Sequence, residues 1–164
     1  MRARNHPAQV ARRGPLDEVD DRWTPHDLFE DADRRFGPFD LDAAASHQNA
    51  LCARYFTRED DGLTQPWHGT VWCNPPYSAC ANWVEKAWTE WASGRARRIV
   101  MLLPANRTDL SWWHRWIEPH RDAAEAPLRV VFLPGRIRFG RPGQPTPAKG
   151  DRPPFGLCLI VWGV

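Results

Sequence analysis

Thr70-Val71-Trp72-Cys73-Asn74-Pro75-Pro76-Tyr77-Ser78 is the stretch from which the rest of the chain is read. Thr70 to Cys73 is a short apolar, β-prone run, stopped by a polar amide and two prolines. Pro75 and Pro76 carry no backbone N–H, hold φ near about −65°, and bias the residue before each toward extended geometry. The chain therefore leaves a buried strand in a stiff direction. At that exit stand the Asn74 amide oxygen and the carbonyls of Pro75 and Pro76, acceptors that no helix or ladder is obliged to use. With the face of Tyr77 beside them, they make a pocket for a planar group carrying an N–H2.

Toward the N-terminus, Trp23-Thr24-Pro25-His26-Asp27 opens a helix. Thr24 is the expected N-cap, Pro25 the first helical residue, and Asp27 takes the capping-box place. Leu28, Phe29, Ala32 and Phe36 form its apolar stripe, and Gly37 closes it. Phe39-Asp40-Leu41-Asp42 is a short strand that delivers Asp42 into Ala43-Ala44-Ala45-Ser46, small residues that let another molecule approach the backbone. Arg54 to Thr57 is a further candidate strand, and Glu59 to Leu63 an acidic loop.

Toward the C-terminus, Val84, Ala87, Trp88 and Trp91 recur at helical spacing within Ala79 to Ser93, with Gly94 at the cap. Ile99 to Leu103 is an unbroken apolar run, the mark of a strand buried on both faces. Arg95, Arg97 and Arg98 precede it, and Pro104 to Arg107 form a loop at its carboxyl end. Thr108 is the expected cap of a helix with the stripe Leu110, Trp113 and Ile117. Arg129 to Leu133 is another strand. Gly135 to Gly140 alternates with period two, sending Ile137 and Phe139 one way and Arg136 and Arg138 the other. Residues 141–154 are a Pro/Gly-rich surface loop, expected to be mobile, before a last strand from Phe155 to Trp162.

The length of 164 residues suits one domain, placed at 22–164, after an arginine-rich and then acidic segment, 1–21, expected to be a disordered tail. A net charge of +2 leaves any nucleic-acid contact to local clusters. Arg107, Arg136, Arg138 and Arg141 are the candidates, with Arg95, Arg97 and Arg98 a second cluster. Four cysteines without a regular framework are expected to be reduced, in a cytoplasmic monomer. No long apolar run predicts a membrane segment. His47 and Cys52 lack a second pair of ligands, so no metal site is expected. Strands alternating with helices predict an α/β fold: a three-layer sandwich with a mostly parallel sheet and an antiparallel edge pair. Ligands in such sheets lie beyond the carboxyl ends of the strands, where Asp42, Asn74 and Asn106 fall.

An amine on an aromatic ring is a poor nucleophile, because its lone pair is delocalised. Asn74 and the Pro75 carbonyl can hold its two N–H bonds, letting the nitrogen pyramidalise, while Tyr77 stacks on the ring. The electrophile expected is a methyl cation donor, with Asp42 facing its positive charge, so that the chemistry rests on positioning. A base in a duplex must first be flipped out.

These residues resemble the short, phage-type DNA N6-adenine methyltransferases related to the Dam enzymes. The resemblance runs from Trp23 to Trp162. It is carried by Trp23-Thr24-Pro25, Phe39 to Ala45, Tyr55-Phe56-Thr57, Asp60 to Leu63, Trp67, Val71 to Ser78 and Gly135 to Phe139. It implies a Rossmann-like methyltransferase fold, S-adenosylmethionine as cofactor, double-stranded DNA as substrate, and protection of phage DNA from restriction as a role. It places Asn74, Pro75, Pro76 and Tyr77 around the flipped adenine. Asp42, Ala43 and Ala44 fall at the acidic strand end and turn that wrap the cofactor's amino-acid moiety. Trp23, Thr24 and Pro25 close over that moiety, and Tyr55, Phe56 and Asp61 meet its adenosine. One departure is that Ala43 to Ser46 contain no glycine where the family of folds carries a Gly-rich turn, and alanine takes positive φ only with strain. Asn-Pro-Pro-Tyr alone serves an adenine in DNA or RNA, or a glutamine side chain, and an inactive DNA-binding module would keep the same fold. The Trp-Thr-Pro opening and Arg136 to Phe139 favour DNA.

Overall fold

The protein is described from a computed structural model over residues 20–121, 123–144 and 153–163. Its elements in chain order are α1 (His26–Phe36), β1 (Leu41–Asp42), β2 (Gly69–Cys73), a 3-10 turn (Tyr77–Ala79), α2 (Cys80–Ala92), β3 (Ala96–Pro104), α3 (Ser111–Trp116), β4 (Leu128–Phe132) and β5 (Leu157–Trp162). The strands form one mixed sheet in the order β1-β2-β3-β5-β4. β1, β2 and β3 run parallel, while β5 runs antiparallel to both of its neighbours and stands between β3 and β4.

The unbroken apolar run makes the centre of this sheet. Every residue of β3 from Ile99 to Pro104 and all of β5 are buried, as expected for strands covered on both faces. Val84 and Ala87 of α2 are fully buried, and that helix packs on β3 while α3 packs on α2. Trp67, Trp72, Trp113 and Trp162 are among the largest fully buried side chains, so indole rings fill much of the core. All four cysteines are free thiols, three of them buried. Among the described residues no helix is long and apolar enough to cross a membrane.

Several local expectations are corrected. The cap of α1 is Pro25 and not Thr24, and no side chain caps it; the Thr24 hydroxyl instead accepts from Asn74. Likewise the cap of α3 is Leu110, two residues beyond Thr108, with no side-chain cap. Arg54 to Thr57 contributes only a single bridge, Tyr55 to Asp42. Gly135 to Gly140 is not a strand. Gly135 takes φ +70° and turns the chain off the sheet, where β4 is already paired with β5. The main chain then pairs once, Gly140 with Trp23. Of the loop 141–154, residues 145–152 lie outside the described residues, and Arg141 and Gln144 close a tight turn. The expected tail also lies outside them, except Asp20 and Asp21.

Arg95, Arg97 and Arg98 each have partners within the fold at the amino end of β3, away from the strands' carboxyl edge, with Arg95 and Arg97 still exposed. Arg95 donates to the buried Glu90 at 2.7 Å, together with Lys86 at 2.6 Å. Arg97 donates to Thr70 Oγ1, and Arg98 to the carbonyls of Gly163 and Phe36.

Candidate active site

Asn74 is the first residue beyond β2, at its carboxyl end. Its Nδ2 donates to the main-chain carbonyl of Arg22 at 2.8 Å and to Thr24 Oγ1 at 3.1 Å. A carbonyl can only accept, so the amide nitrogen must face Arg22 and the oxygen must face away. That oxygen, Asn74 Oδ1, is buried and has no partner. The next residues are less open than expected. The Pro76 carbonyl accepts from Ala79 N–H at 3.1 Å within the 3-10 turn, so of the two proline carbonyls it is the one already engaged.

Tyr77 is only 7 % exposed, and its hydroxyl too is buried without a partner. Burial drives its pKa well above the ordinary phenol value, against the opposing pull of the Arg22 charge. Its ring meets those of Phe139 and Phe155 edge-on, with centroids 6.3 and 6.1 Å away. The Arg22 guanidinium lies 5.9 Å from the centre of Tyr77 and 5.6 Å from the centres of Phe139 and Phe155.

Beside this compartment opens a cavity of about 740 Å³ whose wall includes Ala43, Ala44, Asp61, Gly62, Asn74 and Pro76. Arg22 lines this cavity together with Asn74. Asp42 ends β1 and lies on a small void with Thr24, Ala44, Trp72 and Asn74. It is 3 % exposed, and burial raises its pKa from 3.8 to about 6 despite N–H donation from Leu51 and Ala44.

The turn after Asp42 works without glycine. Among the described residues the only non-glycine with positive φ is Asp61, so Ala43 to Ser46 are unstrained. Their N–H groups go to the Trp72 carbonyl, the Asp42 carboxylate, the Phe56 carbonyl and Asn49 Oδ1. The close approach that needs a glycine is supplied from across the cavity. A Cβ on Gly62 would overlap the Ala43 carbonyl and press on the Trp83 ring.

Trp23, Pro25, Tyr55 and Phe56 stand behind these walls. Trp23 pairs with Gly140 and Pro25 caps α1. Tyr55 hydrogen-bonds His47 at 2.9 Å, and Phe56 pairs its main chain with Asp42 and Ala45. Arg136 and Arg141 are exposed and Arg138 half-buried, on the segment that carries Phe139. Arg107 follows β3, with a buried Nε that has no partner. Sequence reasoning missed Asp20, Arg22, Phe139 and Phe155 as site residues. Asp20 accepts from both the N–H and the hydroxyl of Ser78. Phe139 had a signal, since it shares a face with Ile137 in the alternating segment. Arg22 had one too, as the residue adjoining Trp23-Thr24-Pro25.

Fold and site define a class: a mixed α/β domain with a ligand-sized cavity at the carboxyl ends of its strands, next to an open amide acceptor. The chain belongs to the DNA N-6-adenine-methyltransferase (Dam) family, whose model matches residues 14–155. It is 37% identical over 112 residues to the DNA N-6-adenine-methyltransferase of Escherichia phage T1, covering 66% of this chain and 44% of that one. It is 40% identical over 82 residues to a protein of Escherichia coli (strain K12) named "Putative methyltransferase YfdM", covering 45% of this chain and 85% of that one. A third relative, the DNA N-6-adenine-methyltransferase of Haemophilus phage HP1 (strain HP1c1), is 36% identical over 86 residues, or 51% of this chain and 49% of that one. The chain therefore spans about half the length of the two phage relatives.

Proposed function

We propose that this chain is an S-adenosylmethionine-dependent DNA methyltransferase acting on the N6 amine of a flipped adenine, on a Rossmann-like fold. The observation that carries it is Asn74 Oδ1: buried, without a partner, and aimed by two hydrogen bonds on its nitrogen. A buried acceptor left open has a cost of about 1–3 kcal/mol, which a ligand's N–H removes. Family membership supplies the ligand: an adenine amine.

The residues fit the cofactor. A cavity of about 740 Å³ lies within the range of about 300–1,000 Å³ usual for ligand sites. Ala43 and Ala44 bring backbone to its wall, Asp61 lines it, and Asp42 sets a buried carboxylate behind Ala44 that would face the cofactor's positive charge. When bound, S-adenosylmethionine supplies the methyl group. The chain's own part is to hold the acceptor. Asn74 Oδ1 and the Pro75 carbonyl take the two N–H bonds of the amine, which lets the nitrogen lone pair leave the ring plane. Tyr77 stacks on the base and fixes its orientation. Asn74 lines the cavity together with Ala43 and Ala44, so an amine held on it is presented to the cofactor side, and rate comes from positioning. The proton is lost to water afterwards. Arg107, Arg136, Arg138 and Arg141 take backbone phosphates, and protection of phage DNA from restriction is the role this chemistry suits.

Incubation with tritiated S-adenosylmethionine and unmethylated duplex DNA tests the proposal. Label is expected in N6-methyladenine, lost in Asn74→Ala and strongly reduced in Tyr77→Ala. Label confined to RNA or protein would overturn it.

A further inference from the structure

We propose that the Arg22 side chain is the resident occupant of the aromatic compartment made by Tyr77, Phe139 and Phe155, and that a flipped base enters by displacing it. This rests on Asn74 to Tyr77 being the base-receiving stretch. A guanidinium is planar, delocalised and edged with N–H groups, and it stacks on aromatic faces much as a base does. Here it lies within 5.9 Å of three ring centres, inside the limit of about 6 Å for a cation–π contact.

The placement is built into the fold. The segment from Asp20 to Thr24 crosses the site and is tied at three points. Asp20 accepts from Ser78. Trp23 and Gly140 exchange main-chain bonds of 2.9 and 3.0 Å. Thr24 and the Arg22 carbonyl accept from Asn74. The main chain of Arg22 thus orients the Asn74 amide, while its side chain reaches the three rings. One residue sets the acceptor and covers the space in front of it.

Displacement has a direction. A free base must evict the guanidinium with nothing offered in return. A polynucleotide brings phosphates, to which an arginine transfers its hydrogen bonds. The compartment therefore discriminates polymer from monomer: free bases and nucleosides compete with Arg22, and DNA gives it a new partner.

Fluorescence titration with the nucleoside of 2-aminopurine, whose emission is quenched on stacking, tests this without methyl transfer. Wild type is expected to bind it weakly, and Arg22→Ala about tenfold more tightly, the factor by which an occupied site lowers apparent affinity. Arg22→Met, which keeps the stem without the planar cation, should shift the same way, and adding Phe139→Ala should erase the gain. Folded Arg22→Ala and Arg22→Met proteins that bind no tighter, or a gain indifferent to Phe139→Ala, would overturn the proposal. If neither Arg22 variant folds, the Arg22 Nε–H resonance of wild type decides. It should be ring-current shifted in the free protein and relax on adding unmethylated duplex, and an unshifted resonance would overturn the proposal. A tighter nucleoside site with no label in DNA would sink the methyltransferase assignment and leave Arg22 as the occupant. Label in DNA without the gain would sink only the Arg22 proposal.

Discussion

On the proposed function, Asp42 sets stability against cofactor binding. Its folded pKa is raised from 3.8 to about 6 by burial, so the folded protein binds the proton more tightly than the unfolded chain. The stability linked to that proton is complete below about pH 4 and is lost as pH rises through about 6. Asp42→Asn should therefore stabilise the free protein at pH 8 by up to about 3 kcal/mol, with the advantage gone at pH 4. Thermal melting at the two pH values checks this. The same variant should lose S-adenosylmethionine affinity in calorimetry, and wild-type affinity should fall as pH drops below about 6. An Asn variant that binds the cofactor normally would remove Asp42 from the site. Tyr77 gives a second contrast. Its hydroxyl is buried without a partner, so Tyr77→Phe should be at least as stable as wild type, by about 1 kcal/mol. It should also keep methyl transfer, while Tyr77→Ala loses the stacking face. Loss of activity in Tyr77→Phe would show that the hydroxyl, and not the ring, is what matters.

Among elements, the turn after β1 shows how a local rule was met from elsewhere. The alanines at 43–45 looked unsuited to a turn expected to carry glycine. The chain takes that turn with negative φ and places Gly62 where another backbone must pass close to the Ala43 carbonyl. Gly62→Ala should therefore push the acidic loop off the turn, with a cost of about 1–3 kcal/mol. Cofactor binding should weaken more than base binding, since Gly62 lines the cavity and not the aromatic compartment. Equal losses at both would contradict that division. The helix starts at α1 and α3 also differ from the local reading. Thr24 and Thr108 are sound caps locally, but the Thr24 hydroxyl is bonded to Asn74, fifty residues away in sequence.

At the scale of the molecule, the arginines divide by sheet edge. Those at the amino end of β3 are spent on Glu90, Thr70 and main-chain carbonyls. Arg107, Arg136, Arg138 and Arg141 lie with the carboxyl edge or the segment bearing Phe139. Arg136→Ala and Arg138→Ala should each weaken DNA binding and lower the salt slope by about 1, whereas Arg97→Ala should leave the slope unchanged. A slope that moves with Arg97 instead would shift the DNA face to the other edge. The sequence by itself determined the strands that end at Asp42 and Cys73, the buried run at Ile99 to Leu103, and the acceptor at Asn74. Each of these is written in neighbouring residues, as apolar runs broken by prolines or acids. Only the tertiary structure decided that β5 stands between β3 and β4, that Gly62 serves the Ala43 turn, and that Arg22, Phe139 and Phe155 meet over Tyr77. These are contacts between segments far apart in the chain. No local periodicity encodes them, because they follow from which faces are left uncovered once the sheet has formed.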